Sequence, residues 1–180
     1  MRIIAGKHRS RLLKSLEGMN TRPMMDSMKE AVFNTVGPYF DEEVVLDLFG
    51  GSGALSLESI SRGAKEAYIF DINRDAIRII TENVQALHEE EHVKIFQMSY
   101  LDALKRFSTQ AFDIIFLDPP FRMNIINEII DQLVLQHMIK SNGILVCQYV
   151  RGNLTIPEGF VLVKHYQHGS GELAILRFLK

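Results

Sequence analysis

An apolar run over 112–117 ends in Asp118-Pro119-Pro120-Phe121, a tetrapeptide suited to activating an amine. An amino group on an aromatic ring is a poor nucleophile, because its lone pair is delocalised into the ring. A carboxylate and a carbonyl, those of Asp118 and Pro119, can accept its two N–H groups and turn the lone pair toward an electrophilic carbon while Phe121 stacks on the ring. Adjacent prolines fix φ and remove two backbone donors, which leaves the carbonyls as acceptors. A plain strand-ending turn also uses Pro-Pro. The acid, the aromatic and the preceding apolar run favour catalysis.

Upstream, residues 44–55 read as a buried strand, a glycine loop and the start of a helix. Gly50, Gly51 and Gly53, preceded by Phe49, let the backbone approach a ligand at the carboxyl end of the first strand. A dinucleotide fingerprint would need glycine at Ser56, and no Gly-Lys-Ser/Thr follows as in a phosphate loop. Asp71 closes the second strand 20 residues after Gly51, with Ile72 beside it, placed to accept both hydroxyls of a ribose. Together these features specify a nucleoside without phosphates, which S-adenosylmethionine (SAM) satisfies. The plainer alternatives are a tight turn and a helix cap facing Arg74. Asp47, inside the strand, must hold the loop amides or reach the ligand's amino group.

His88-Glu89-Glu90-Glu91-His92 satisfies the H-E-x-x-H pattern of zinc proteases. Its charged surroundings, its place between a helix and a strand, and the want of a third ligand predict a solvated acidic turn and no metal. His137, His165 and His168 have no partner that the sequence identifies.

These motifs need a frame that brings their strand ends to one edge. Met28, Val32 and Val36 recur at helical spacing and predict a helix over 26–36. Short β-branched runs over 44–48, 67–71, 93–98, 112–118 and 144–150 then alternate with helical stretches over 54–62, 74–88, 100–107 and 124–138. That alternation predicts an α/β fold, a doubly wound and mostly parallel sheet with helices on both faces. Runs over 161–166 and 173–179, joined by Gly169-Ser170-Gly171, predict an antiparallel C-terminal hairpin.

With 180 residues, 47% of them hydrophobic, the chain fits one core with a short extension. Its apolar runs are too short to span a membrane, residues 1–10 lack a signal core, and the single Cys147 allows no intrachain disulfide. A soluble cytoplasmic protein is expected. The net charge of −2 conceals an asymmetry, since residues 1–22 carry six basic groups against Glu17 and the remainder carries 14 basic and 21 acidic residues. A basic arm of this kind meets a polyanion. Ile3, Ile4, Leu12 and Leu13 around the turn-prone 6–10 predict two short strands, so 1–22 reads as a basic hairpin and 23–180 as the catalytic domain.

Arg2-Ile3-Ile4-Ala5-Gly6, Arg22-Pro23, Lys29-Glu30, Phe33-Asn34, the glycine loop with Ser61-Arg62-Gly63-Ala64 beyond it, and Asp118-Pro119-Pro120-Phe121 stand in this order. Over nearly its whole length the chain resembles the RsmD family. The resemblance implies a class I, Rossmann-like SAM-dependent methyltransferase with S-adenosylhomocysteine as product. It implies transfer to the N2 amine of a guanine in 16S rRNA, within the small ribosomal subunit or its late assembly intermediate. It further implies that Arg2, Lys7, Arg9, Arg11 and Lys14 bind RNA, that the segment from Arg22 to Asn34 caps the cofactor's methionine end, and that Ser99 and Tyr100 lie by the adenine. Met24 and Met25 replace threonines of the family pattern, which passes a cap to Asp26. Ser99 replaces an acid, which passes the adenine contact to the amides of 98–100, and Gln148 replaces a glutamate. An adenine-N6 or glutamine-N5 methyltransferase would share the Asp118 chemistry, although a DNA enzyme would need a large target-recognition domain. A non-catalytic SAM-binding RNA-associated protein would have no need of the tetrapeptide.

Overall fold

A computed structural model describes residues 1–16, 26–168 and 171–180. Seven strands form one sheet in the order β3-β2-β1-β4-β5-β7-β6. Strands β1 (Val44–Asp47), β2 (Glu66–Asp71), β3 (Val93–Gln97), β4 (Phe112–Leu117) and β5 (Ile139–Val150) pair in parallel. β7 (Gly171–Phe178) is antiparallel to both β5 and β6 (Phe160–His168). The helices are α1 (Asp26–Val36), α2 (Ala54–Ser61), α3 (Arg74–Leu87), α4 (Tyr100–Arg106) and α5 (Ile126–Leu135).

Alternation along each strand sorts the apolar side chains into two cores. Val45, Ile69, Ile114 and Phe116 pack with Val32 and Phe33 of α1, Leu57 and Ile60 of α2, and Ile80 and Val84 of α3. On the other face Leu46, Phe70, Ile115 and Leu117 pack with Leu104 of α4 and with Ile129, Ile130 and Leu133 of α5. Each such side chain contributes about 1.5–3 kcal/mol when fully buried. Asp47, two positions after Val45, therefore points to the face that α2 covers. α3 starts where the Asn73 side chain accepts the Asp75 amide at 2.8 Å, a side-chain cap on an otherwise unpaired donor.

Two segments depart from the sequence expectation. β5 begins at Ile139, which pairs with Phe112 before the register shifts to Ile114 and Ile144. The strand expected over 144–150 is thus longer, and Ser141-Asn142-Gly143 absorbs the shift within it, with Asn142 at φ 61°. The basic arm folds back on itself as an irregular hairpin, in which an antiparallel bridge joins Arg2 to Leu12 and the Ile3, Ser10 and Leu13 amides donate to the Arg11, Ile3 and Met1 carbonyls at 2.9, 2.9 and 3.0 Å. Other amides of the arm bond to the body. The Ile4 and Ala5 amides donate to the Glu58 carboxylate at 2.8 and 3.0 Å, and the Lys7 amide donates to the Ser61 carbonyl at 2.8 Å. Ile3 and Leu13 are buried in the core under α1, α2 and α3.

Buried charges fasten this arrangement. Glu58, wholly buried on α2, also takes Arg62 Nε at 2.8 Å and Lys29 Nζ at 3.2 Å. Lys29 donates in addition to the Arg2 carbonyl, and burial holds its ammonium below the ordinary lysine range. Glu89 corrects the acidic-turn expectation, because it is 3% exposed and pairs with Lys7 at 2.7 Å, with His8, and with His92 at 2.9 Å. Among the described residues no group of three or more His, Cys, Asp or Glu side chains could hold a metal ion. No described helix is long and apolar enough to cross a membrane.

Candidate active site

The glycine loop owes its shape to close packing on one side and open space on the other. The Gly50 amide donates to the Phe70 carbonyl at 2.8 Å, and a Cβ on Gly50 would come within 2.3 Å of Ile69 Cγ2. Gly51 is left-handed, with φ 57°, and a Cβ there would meet nothing within 4 Å. Gly53 caps α2. Asp71 fixes the loop, since one carboxylate oxygen accepts the Gly51 amide at 2.9 Å and the other accepts the Asn73 amide at 2.8 Å. Each oxygen retains capacity for another donor, which is what a vicinal diol supplies. The helix-cap alternative for Asp71 is taken by Asn73.

Asp47 is 3% exposed and accepts the Ser56 hydroxyl at 3.0 Å and the Phe49 amide at 3.4 Å. It thereby joins the loop to the first turn of α2. Burial pushes its carboxyl up to about 7, and the charges of Asp118 and Asp71 add to the rise. Protein atoms crowding Asp118 push its carboxyl up to about 6. Its side chain is nonetheless exposed on the cleft side, and solvent there tempers the rise relative to Asp47. Three carboxylates thus meet at the carboxyl edge of β1, β2 and β4, a setting that favours a cation.

β4 delivers the tetrapeptide beside β5, where Leu117 pairs with Cys147. Pro119 is buried and Pro120 exposed. The Pro120 carbonyl accepts the Met123 amide at 2.9 Å within the single 3-10 turn Phe121–Met123, which leaves the Pro119 carbonyl as the motif's candidate acceptor. The Phe121 side chain lies outside what is described. A shallow depression is lined by Leu55, Leu117, Asp118, Val146, Gln148 and Leu173. A second is lined by residues that include Pro119, Pro120, Asn124, Tyr149 and Val150. Gln148 lines both.

Other expected site residues fall in varied places. Ser99 is committed to α4 as its cap, accepting the Asp102 amide at 3.2 Å and bonding the Asp102 carboxylate at 2.6 Å. The Tyr100 ring lies 5.7 Å from that of Phe49 and joins α4 to the glycine loop. Ile72 is 71% exposed beside Asp71. Asn34 is exposed on α1, next to Phe33, whose ring lies 6.0 Å from that of Phe116, two residues before Asp118. Arg22, Met24 and Met25 lie outside the described residues. Arg2, Lys7, Arg9, Arg11 and Lys14 are all exposed. Four of them touch the body, Arg2 at Asp26, Lys7 at Glu89, Arg11 at the Ala86 carbonyl and Lys14 at Glu82. Sequence reasoning missed the Glu58 cluster and the 2.9 Å contact between the Thr35 and Tyr166 hydroxyls that ties α1 to β6. Its partners are 131 residues apart, so no local pattern could signal it.

Taken together, the set fits SAM. It offers diol acceptors, a bare backbone loop, apolar and aromatic surfaces for a flat base, and carboxylates for a sulfonium and an ammonium.

The model of the family described as conserved hypothetical protein 95 matches residues 1–177. Ribosomal RNA small subunit methyltransferase D of Haemophilus influenzae is 34% identical over 172 residues, covering 94% of this chain and 89% of its own. The protein of the same name from Escherichia coli K12 is 29% identical over 182 residues, covering 97% and 87%. Among solved structures, Escherichia coli yhhF, assigned as a methyltransferase, superposes with a TM-score of 0.87 at 26% identity, covering 99% of this chain and 98% of its own.

Proposed function

From the premise that this chain belongs to the RsmD family, the family described as conserved hypothetical protein 95, we propose that it methylates the N2 amine of a guanine in 16S rRNA. It is a SAM-dependent methyltransferase of the rRNA class. The observation that carries amine methylation is the meeting of Asp47, Asp71 and Asp118 at one sheet edge beside a carbonyl-presenting Pro-Pro turn, and the likeness to small-subunit rRNA methyltransferases over nearly the whole chain supports the choice of guanine N2.

SAM, when bound, supplies a methyl group activated by a sulfonium. Asp71 would hold the ribose hydroxyls, and Asp47 would face the amino group of the methionine end. Phe49, Tyr100 and Ile72 would wall the adenine, with the backbone amides of Ser99 and Tyr100 at its edge, since the Met98 amide donates to the Asp71 carbonyl at 3.1 Å. Asn34 would close the methionine end. Asp118 and the Pro119 carbonyl accept the two N–H bonds of the guanine amine, which aligns its lone pair with the methyl carbon, and Phe121 stacks on the base. Accepting a methyl group would leave the nitrogen with a proton to shed. Asp118, drawn up toward neutrality, is placed to take that proton. The exposed cations of the arm meet phosphates of the small subunit or its late assembly intermediate.

The test is transfer of tritiated methyl from SAM to small ribosomal subunits, followed by digestion to nucleosides. Label is expected in N2-methylguanosine, and Asp118→Ala should slow transfer by roughly a hundredfold or more with S-adenosylhomocysteine affinity unchanged. Label in N6-methyladenosine or in a protein glutamine would replace the guanine reading. Equal loss of binding and rate would move Asp118 to a structural role.

A further inference from the structure

Two cations outside the basic arm stand at the catalytic edge, one after β4 and one after β5. β5 ends at Val150, paired with Gly171 at the start of β7, so Arg151 stands just beyond one bank of the depression lined by Tyr149 and Val150. Arg122 stands on the opposite bank, between Pro120 and Asn124, which line the same depression. Both arginines are exposed. Glu172, whose side chain is 12% exposed, lies 3.5 Å from Arg151 Nε and 3.6 Å from His165 Nε2. It lies against one nitrogen of Arg151, and the guanidinium has further donors for a phosphate.

We propose that Arg122 and Arg151 form a phosphate-binding rim for the RNA strand that carries the acceptor base. This rests on the RNA reading above and extends it to a contact apart from the basic arm, which packs against α1, α2 and α3. An enzyme acting on a base turns it out of its stack into a pocket, and that leaves the flanking phosphates at the pocket mouth. Here the depression opens next to Asp118, at the sheet edge that also carries Asp47 and Asp71, and the chain outside 1–22 carries 14 basic against 21 acidic residues. An approaching phosphate is therefore repelled unless cations stand at the rim. Two arginines, one on each bank, supply that charge with geometry suited to bidentate phosphate contacts.

Binding of wild type and the Arg122→Ala/Arg151→Ala variant to small ribosomal subunits, measured at several salt concentrations, tests the rim. The variant should flatten the slope of log affinity against log salt by about 1.4 to 1.8, from about 0.7–0.9 per phosphate contact. Its KM for subunits should rise more than its kcat falls, S-adenosylhomocysteine binding should be unchanged, and the double lysine variant should regain most of the slope. Glu172→Gln removes the same ion pair but keeps the cation, so it should leave the slope alone. If Glu172→Gln reproduced the loss, Arg151 would be structural and the rim refuted. An unchanged slope in the alanine variant, with wild type still methylating subunits, overturns the rim alone. A wild type that neither binds nor methylates subunits overturns the rim together with the RNA reading.

Discussion

Replacing Glu58 with alanine should destabilise this protein severely, because one carboxylate holds three separate parts of the chain. It accepts the Ile4 and Ala5 amides at 2.8 and 3.0 Å, Arg62 Nε at 2.8 Å and Lys29 Nζ at 3.2 Å, with no solvent exposure. Breaking a buried ion pair by removing one partner costs about 3–5 kcal/mol, since the remaining charge is stranded. Two cations are stranded here, but each keeps another contact. Arg62 donates to the Pro38 carbonyl at 2.9 Å and lies 4.7 Å from the Phe33 ring centroid, and Lys29 retains the Arg2 carbonyl. The figure of about 3–5 kcal/mol therefore stands for the whole substitution. At about 2–4 °C per kcal/mol for a domain of this size, Tm should fall by roughly 6–20 °C. Urea and thermal unfolding followed by circular dichroism would read this for Glu58→Ala, for Glu58→Gln, and for Glu58→Ala combined with Lys29→Met. Glutamine keeps an acceptor for the arm amides and should cost less, and the double variant, with one stranded cation gone, should recover part of the loss. A cost under about 1 kcal/mol for Glu58→Ala would refute the reasoning, because that is the range of exposed pairs.

Three further outcomes are expected. Gly50→Ala drives a Cβ to within 2.3 Å of Ile69 Cγ2 and should lower the urea midpoint by an overpacking cost of about 1–3 kcal/mol; Gly51→Ala meets no atom within 4 Å, costs about 1–2 kcal/mol of left-handed strain, and should abolish S-adenosylhomocysteine binding by calorimetry. Asp47, with its carboxyl drawn up from 3.8 to about 7, keeps its proton in the native state through a window where the unfolded chain has lost it, so stability should fall as pH rises through that window, by at most roughly 4 kcal/mol, and urea unfolding of Asp47→Asn should show a flatter pH profile.

Much of this fold was legible because its signals are short-ranged. The run over 112–118 became Phe112–Leu117 and the helical stretch over 74–88 became Arg74–Leu87, since side-chain period and turn residues act within a few positions. The convergence of Asp47, Asp71 and Asp118 was legible too, because parallel strands carry their carboxyl ends to one edge. The arm was less so. Its alternating residues suggested two short strands, and the backbone does pair across the turn, but the Ile4, Ala5 and Lys7 amides that interrupt regular pairing bond to Glu58 and Ser61, more than fifty residues away. Glu89 looked solvated because its neighbours Glu90 and Glu91 are charged, while its partners Lys7 and His8 come from the N-terminal arm, His8 being 81 residues away in sequence. Ser99 is a different case, since Ser-x-x-Asp before an apolar turn is a local cap signal that could have been weighed against a cofactor role.

Strand order also sets an order of assembly. β7 follows β6 in the chain but lies between β5 and β6 in the sheet. Until β7 has been synthesised, β5 presents an open apolar edge through Leu145 and Cys147, a hazard for mispairing. β6 and β7 can meet first as a hairpin through local contacts and then dock as a unit, pairing from Ile144 with Arg177 to Val150 with Gly171. Docking also brings Leu173 to the wall of the depression that holds Asp118. A nascent chain on this route acquires its glycine loop early and completes the acceptor crevice last, so the place for the base exists only once the sheet has closed.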